Sequence, residues 1–158
     1  MRLRKVEKSD NEILAQLIRA IFDELDAPKC GTVYSDPKTD TLFENFQEPK
    51  AVLWIAEENN EIVGCCGVYP TEGLPENCAE LVKFYLLAQS RGKGIGKELM
   101  CKTIESAKEL GYKQLYLESL PQFASAVLMY EKQGFWMLDQ PLGDSGHTSC
   151  TIWMLKNL

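Results

Sequence analysis

Histidine is almost absent from this chain of 158 residues, and its scarcity argues against several kinds of site. His147 is the single histidine, and none of the six cysteines forms a Cys-x-x-Cys pair. Zinc and related metals are usually held by closely spaced Cys and His ligands, so no metal site is expected. A nucleophilic Cys–His pair is left open, because any of the cysteines could meet His147 in the fold.

Long apolar runs and an excess of positive charge are also lacking. No uninterrupted apolar stretch approaches the ~18–20 residues of a membrane span, and the N-terminus MRLRKVEKSD has no apolar signal segment. With 17 Lys and Arg against 23 Asp and Glu, the net charge is −6. Neither a membrane nor a nucleic acid is therefore expected as a partner. Without an export signal, the cysteines are interpreted as reduced thiols of a cytoplasmic protein.

The residues that are abundant are those of a folded domain. Hydrophobic residues make up 45% of the chain and charged residues 25%, a balance that is not typical of disorder. There is no repeat, heptad pattern or linker in the sequence. Residues 1–158 are therefore predicted to form a single domain with its own core.

The first half of the chain predicts a strand, two helices and a three-stranded meander. Ser9 and Glu12 have the spacing of a capping box, which places a helix start beside them. Asn59 and Asn60 tolerate positive φ and predict a hairpin turn. The predicted strands are 1–7, Ala51–Glu57, Ile62–Tyr69 and Cys78–Leu87, and the predicted helices are Asp10–Leu25 and Thr39–Gln47.

The second half alternates helices and strands. Apolar residues at helical spacing follow Ile95, and Gly111 is placed to end that helix. The later predicted elements are a strand Gln114–Glu118, a helix Ala124–Gln133, and strands Phe135–Leu138 and Cys150–Leu155. The order β-α-α-βββ-α-β-α-β-β predicts an α+β fold with a mixed, mostly antiparallel sheet and flanking helices.

Charge is distributed unevenly along the chain. The segment 22–62 carries ten acidic residues and three lysines, whereas 91–113 carries six cations and three acidic residues. A basic stretch on an acidic protein favours one local anion site over a long polyanion track. A solvated helix face is the alternative interpretation.

Three alternate glycines stand inside this basic stretch, in the segment Arg91-Gly92-Lys93-Gly94-Ile95-Gly96. They lie at a predicted strand-to-helix junction, where free amides and the helix N-terminus can bind a phosphate or pyrophosphate. Two familiar phosphate loops do not fit. A P-loop requires Ser or Thr after Gly96-Lys97, where Glu98 stands, and a dinucleotide fingerprint requires wider glycine spacing within a βαβ unit.

A third pattern does fit. Arg91-x-x-Gly94-x-Gly96 resembles the acetyl-CoA signature Gln/Arg-x-x-Gly-x-Gly/Ala of the GNAT superfamily of N-acetyltransferases, and Gln89 begins an overlapping match. The stretch from Leu128 to Phe135, with its tyrosine and Gly-Phe, is similar to the late motif of that family. The resemblance covers essentially the whole chain. It implies the GNAT fold and transfer of acetyl from acetyl-CoA to a primary amine of a small molecule or peptide by direct attack.

The resemblance also implies roles for individual residues. Acetyl-CoA would lie where the fourth strand splays from the fifth, held by Tyr85, Leu86 and the segment Arg91, Gly92, Lys93, Gly94, Ile95, Gly96, Lys97. Tyr130 would be the general acid, with a core aromatic as the alternative. Glu80 would be the general base; the alternatives are a merely solvated carboxylate, Tyr85 or ordered water.

The turn Gly143-Asp144-Ser145-Gly146-His147 is outside the family signature. Its flanking glycines could present Ser145 and His147 to the acceptor, for example to a carboxylate on it; a surface hairpin is the alternative. The acidic segment 22–62 favours a cationic acceptor, such as a polyamine or a lysine-like amine; an ordinary acidic surface is the alternative. A non-catalytic CoA or acyl-CoA sensor is the rival function, with a Rossmann-like nucleotide binder disfavoured by spacing. Homodimers are common in the family, so a homodimer is included among the expectations.

Overall fold

One seven-stranded sheet organises the molecule, in the order β1-β2-β3-β4-β5-β7-β6. The computed structural model describes residues 1–158. The strands are β1 (Arg2–Lys5), β2 (Val52–Glu58), β3 (Glu61–Tyr69), β4 (Cys78–Leu86), β5 (Gln114–Ser119), β6 (Trp136–Met137) and β7 (Ile152–Asn157). The helices are α1 (Asn11–Glu24), α2 (Leu42–Asn45), α3 (Ile95–Glu109) and α4 (Ala124–Lys132). The predicted α+β class and element order are confirmed.

Helix α1 is not capped as the sequence predicts. It begins at Asn11, after a 3-10 turn, and Glu7 and Asp10 form the reciprocal capping bonds in place of Ser9 and Glu12. The Arg4 guanidinium donates to both carboxylate oxygens of Asp10, at 2.7 and 2.9 Å. This bidentate pair is a strong anchor between β1 and α1. The prediction of a Ser9–Glu12 capping box was wrong. Arg4, on the preceding strand, binds the Asp10 carboxylate, and Asp10 in turn caps the Glu7 amide.

Three other elements are shorter or shifted. The predicted helix Thr39–Gln47 is a 3-10 turn at Pro37–Asp40 followed by the single turn of α2. Strand β6 has two residues, and β7 begins at Ile152 because its pairing with β5 starts opposite Ser119. The Asn59–Asn60 turn forms as predicted, with φ of 53° and 64°.

The central feature of the sheet is a wedge between β4 and β5. These parallel strands pair only from Cys78 to Glu80, and beyond that point they separate. Strand β4 also carries a bulge against β3 between Val82 and Tyr85, where Lys83 has a φ of 57°. A bulge bends and twists a strand, so the second half of β4 leaves its neighbour. The splay implied by the resemblance is confirmed.

Apolar clusters on both faces hold this sheet in place. On one face α1 buries Leu14, Ile18 and Phe22 against β2 and β3. On the other, α3 buries Leu99 and Met100 against β2, β3 and β4. The wedge is therefore held open between two packed layers. None of the helices is both long and apolar enough to cross a bilayer.

Candidate active site

A cavity of about 380 Å³ opens at the wedge, beside the N-terminus of α3; we call it the cofactor cavity. Seven of the predicted cofactor residues line it: Tyr85, Leu86, Arg91, Gly92, Gly94, Gly96 and Lys97. Phe123, Ala126 and Met129 close its α4 side. The side chains of the other two predicted residues lie elsewhere, since Ile95 is in the core and Lys93 is drawn to Glu58.

The glycines of this loop serve two different needs. Gly92 and Gly94 have φ of 76° and 87°, and a Cβ built at either one meets nothing within 4 Å. They are required by their left-handed backbone, and the space in front of them is open. At Gly96 a Cβ would lie 3.3 Å from Met129 Cε, so this glycine lets α3 approach α4.

The backbone amides around these glycines are free. None of the N–H groups from Gly92 to Lys97 donates a hydrogen bond to another part of the chain. Together with the positive end of the α3 dipole, they form a cradle for an anion. The pyrophosphate of a coenzyme A thioester fits the chemistry of this donor set.

Part of the basic stretch is neutralised within the protein. The Arg91 guanidinium lies 2.6 Å from the Glu24 carboxylate and donates through Nε to the Leu86 carbonyl. Lys93 pairs with Glu58 at 3.2 Å. Lys97 lines the cofactor cavity and forms no ion pair. An anion at this position would therefore meet the free amides and Lys97, with Arg91 at the edge of the cavity.

A smaller cavity of about 60 Å³, which we call the junction cavity, lies deeper in the wedge. It shares Phe84 and Tyr85 with the cofactor cavity, and it is also lined by Glu80 and Tyr130. Both predicted catalytic side chains thus reach the same space. No cluster of three or more His, Cys, Asp or Glu side chains is placed to hold a metal ion.

Glu80 is a buried carboxyl group. Its residue is 5% exposed, so the alternative of a merely solvated carboxylate is wrong. Burial, and after it the nearby Glu118 carboxylate, raise the pKa of Glu80 to about 7. The Thr71 hydroxyl donates to Glu80 at 2.8 Å and opposes this rise. A carboxyl group that titrates near neutral pH is suited to proton transfer.

Tyr130 packs between aromatic rings and is one of the residues that line the junction cavity. Its ring centroid lies 5.8 Å from those of Phe84 and Phe135. The hydroxyl makes no hydrogen bond within the chain, and burial raises its pKa well above the usual range. It therefore stays protonated. Burial also raises the pKa of Tyr85, which argues against Tyr85 as a base.

The third cavity, of about 340 Å³, lies on the α2 side of the junction cavity; we call it the polar cavity. It shares Glu80, Lys83 and His147 with the junction cavity. Ser145 and four further carboxylates also line it: Asp36, Glu48, Glu72 and Asp144. Through these shared lining residues the three cavities adjoin one another in a row, from the glycine loop, past Glu80, to an acidic outer cavity.

Ser145 and His147 both reach this path, but their side chains are engaged. The Ser145 hydroxyl donates to Glu118, and the His147 ring lies 2.8 Å from Asp36. Tyr116 donates to the same Glu118 carboxylate at 2.6 Å. The turn is therefore tied to β5 and to the 3-10 turn before α2, and is not a free surface hairpin.

Sequence reasoning missed Lys83, Glu118 and Asp36. A lone cation inside the apolar run Leu81–Leu87 was the available signal for Lys83. Glu118 and Asp36 had no such signal, because only the folded chain brings them to Glu80 and His147.

Comparison with known proteins agrees with this geometry. Residues 18–135 match the model of the acetyltransferase (GNAT) family. The chain belongs to the GNAT acetyltransferase family. It is 37% identical over 158 residues to the uncharacterised N-acetyltransferase YjgM of Escherichia coli, covering 99% of this chain and 94% of that protein.

Solved structures show the same fold. A GNAT acetyltransferase from Staphylococcus aureus Mu50 superposes with a TM-score of 0.87 at 24% identity, over 99% of this chain and 98% of the other. The PaiA N-acetyltransferase of Thermoplasma acidophilum, solved with coenzyme A, gives 0.78 at 20% identity, over 99% and 98%. The predicted fold, family and acetyl-CoA-dependent acyltransferase activity are thereby confirmed. The roles of single residues stay predictions.

His147→Ala is expected to raise the acceptor KM of this acetyltransferase and to leave acetyl-CoA binding intact. The substitution removes the ring that pairs with Asp36 and so loosens the turn at the polar cavity. We expect a rise of about 10-fold, the size of one lost charge-assisted contact. Steady-state kinetics with calorimetry on CoA measures both. If neither the acceptor KM nor the CoA affinity changes, the turn serves only to connect β6 and β7.

Proposed function

We propose that this acetyltransferase transfers the acetyl group of acetyl-CoA directly to a primary amine of a small molecule or peptide. The observation that carries the proposal is the position of Glu80, which lines both the junction cavity and the polar cavity. An amine that enters from the acidic opening meets this carboxylate before it reaches the wedge. The proposed unit is a single N-acetyltransferase domain, residues 1–158.

Acetyl-CoA supplies a thioester carbonyl that an amine can attack. The free amides from Gly92 to Lys97 would hold its pyrophosphate. The separated half of β4, around Tyr85 and Leu86, offers backbone groups that β5 does not pair. These groups would bind the pantetheine chain and the acetyl carbonyl in the wedge.

Glu80 would accept the proton of the incoming ammonium group. An amine with a pKa near 10 is protonated at neutral pH, so a base must act before attack. With a pKa of about 7, the Glu80 carboxylate is available at neutral pH and still basic enough to take the proton. Burial, followed by repulsion from Glu118, supplies this basicity.

Tyr130 would return a proton to the departing thiolate. Tyr130 lines the junction cavity, and its hydroxyl has no partner in the chain and stays protonated because burial raises its pKa. The sulfur leaving group is basic enough to take this proton. Base and acid would thus act from strand β4 and helix α4, on the two sides of the wedge.

The charge of the polar cavity supports a cationic acceptor. Its lining contains five carboxyl groups against two lysines and His147. Such an opening concentrates cations and repels anions. For the setting, we propose a cytoplasmic enzyme, since Cys65 and Cys66 are buried and unpaired thiols, and a homodimer, which light scattering would test.

Tyr130→Phe is expected to lower kcat about 10–100-fold with little change in CoA affinity. The substitution keeps the ring between Phe84 and Phe135 and removes the proton, so the loss is that of general acid catalysis. Free-thiol release from acetyl-CoA, followed across amines, amino acids, aminoglycosides and peptides, measures the effect and tests the function. If no amine in the panel causes thiol release, the result would favour the non-catalytic CoA sensor. If Tyr130→Phe retains full activity, Tyr130 is a core aromatic and not the general acid.

A further inference from the structure

Lys83 is a cation inside the cleft without a partner. It stands at the bulge of β4 and lines both the junction cavity and the polar cavity. It forms no ion pair within 4 Å and its amine makes no hydrogen bond, although Glu80 and Asp36 are near enough to favour its charge. The residue is half-buried, and burial lowers its pKa.

An unpaired charge in a partly desolvated site is costly unless a bound group compensates it. Glu80 is held by Thr71 and Asp36 by His147, at 2.8 Å each. Each carboxylate thus has another hydrogen-bond partner, and neither lies within 4 Å of the Lys83 amine, although both act on its charge from a longer distance. An acceptor can supply the anion in direct contact that Lys83 lacks, so this position favours an acceptor that carries a carboxylate close to its amine.

The outer part of the polar cavity has the opposite character. Glu48, Glu72 and Asp144 line it, and all three are exposed and outside any ion pair. Glu80, by contrast, is buried at the inner end. The cavity thus presents a base and a cation at depth and free carboxylates at its rim. With a volume of about 340 Å³, it is within the range of small-molecule sites.

We propose that the acceptor is an α-amino acid with a cationic side chain, of the arginine type. Its carboxylate pairs with Lys83, its α-ammonium faces Glu80, and its distal cation reaches the rim carboxylates. This inference rests on the proposed function. The α-nitrogen loses a proton to Glu80 and forms the bond to the acetyl carbon. The carbon–sulfur bond breaks, and the thiolate takes its proton from Tyr130. The nitrogen, positively charged after attack, loses its second proton, which restores Tyr130; the products are the N-acetyl amino acid and coenzyme A, with one proton left on Glu80.

Other amines satisfy only part of this arrangement. A polyamine would contact the rim carboxylates but would place a second cation near Lys83. An acidic amino acid would suit Lys83 but meet repulsion at the rim. A neutral amino acid would leave Glu48, Glu72 and Asp144 unused. An arginine-type acceptor is matched at all three positions.

Four acceptors separate these contacts. Arginine carries both charges, citrulline replaces the guanidinium with a neutral isostere, argininamide replaces the carboxylate, and agmatine lacks it. With acetyl-CoA saturating, we expect kcat/KM for arginine to exceed that for citrulline and for agmatine by about 10–100-fold, as for lost charge-assisted contacts. Formation of N-acetyl products is followed by mass spectrometry together with thiol release.

Variants assign each preference to its residue. Lys83→Met is expected to lower the ratio of kcat/KM for arginine over argininamide about 10-fold or more, with Lys83→Arg retaining part of it. Lys38→Met, at the other lysine of the polar cavity, is the matched control and should leave this ratio unchanged. The double variant Glu72→Gln, Asp144→Asn should lower the ratio of arginine over citrulline. Glu76→Gln, an exposed glutamate outside the cavity lining, is its control.

The outcomes are distinguishable from failure of the proposed function. Agmatine or simple amines acetylated as well as arginine would overturn this inference and leave the acetyltransferase proposal intact. The same holds if Lys38→Met, and not Lys83→Met, changes the arginine ratio. If no primary amine causes thiol release, both this inference and the acetyltransferase proposal would be overturned.

Discussion

Glu80→Gln is expected to lower kcat by about 100–10,000-fold, the range of general base catalysis, while CoA affinity is retained. The amide has the shape of the carboxyl group but does not take up a proton. Because the pKa of Glu80 is raised to about 7, the wild-type rate should increase with pH through that value as the carboxylate forms. In the variant this acidic limb should disappear. Rates measured from pH 5 to pH 9 at saturating acetyl-CoA test the prediction.

Stability supplies the control for that variant. The folded pKa of Glu80 lies above its unfolded value near 4.5, so the folded state binds the extra proton and stability falls as pH rises from about 4.5 to 7. Glu80→Gln removes this loss. The free energy of unfolding of the variant, relative to that of the wild type, should therefore be higher at pH 8 than at pH 4.5, by up to about 3 kcal/mol. Urea unfolding at both pH values measures the difference. If Glu80→Gln is stably folded and its pH–rate profile keeps the acidic limb, the base is water or another group.

Gly94→Val is expected to abolish measurable CoA binding. The backbone at Gly94 has a φ of 87°, and a Cβ there projects into open space at the amide cradle. A branched side chain would occupy the volume that the pyrophosphate needs, and it would strain the loop by about 1–2 kcal/mol. Calorimetry with coenzyme A on the folded variant is the measurement.

Gly111→Val separates the two effects. Gly111 follows the other end of α3 with a φ of 91°, and a Cβ there also meets nothing within 4 Å. It carries similar backbone strain but lies outside the cofactor cavity. We expect this control to lose stability and to bind coenzyme A normally. If a folded Gly94→Val protein bound coenzyme A as tightly as the wild type, the cradle would be misassigned.

Features set by neighbouring residues were predictable from the sequence. Gly92 and Gly94 adopt the positive φ that their spacing indicates, and Asn59–Asn60 forms the expected turn. Amphipathic spacing located α1 and α3 to within one or two residues. These features depend on backbone sterics and on which face of a single element is apolar. Both are determined by residues that are close together in the sequence.

Features set by distant residues were not predictable. The cap forms at Asp10 and not at Ser9 because Arg4, on strand β1, and the Glu7 amide both donate to the Asp10 carboxylate. His147 meets Asp36 across 111 positions of sequence. Glu80 could be named from the family resemblance, but its neutral pKa comes from burial and from Glu118 on the adjacent strand. The chemistry of the site is thus a property of the assembled sheet.

The bulge in β4 has a further consequence for how this strand is built. Glu80, Val82 and Tyr85 face the α1 side, whereas Leu81, Phe84 and Leu86 face the α3 side. Skipping Lys83 restores strict alternation between the two faces, so Lys83 is the single inserted residue of the strand. One insertion thus contributes both the bend in β4 and the unpaired amine in the cleft. A chain shorter by this one residue would keep every other side chain on its own face, yet it would lose the cation and the bend together.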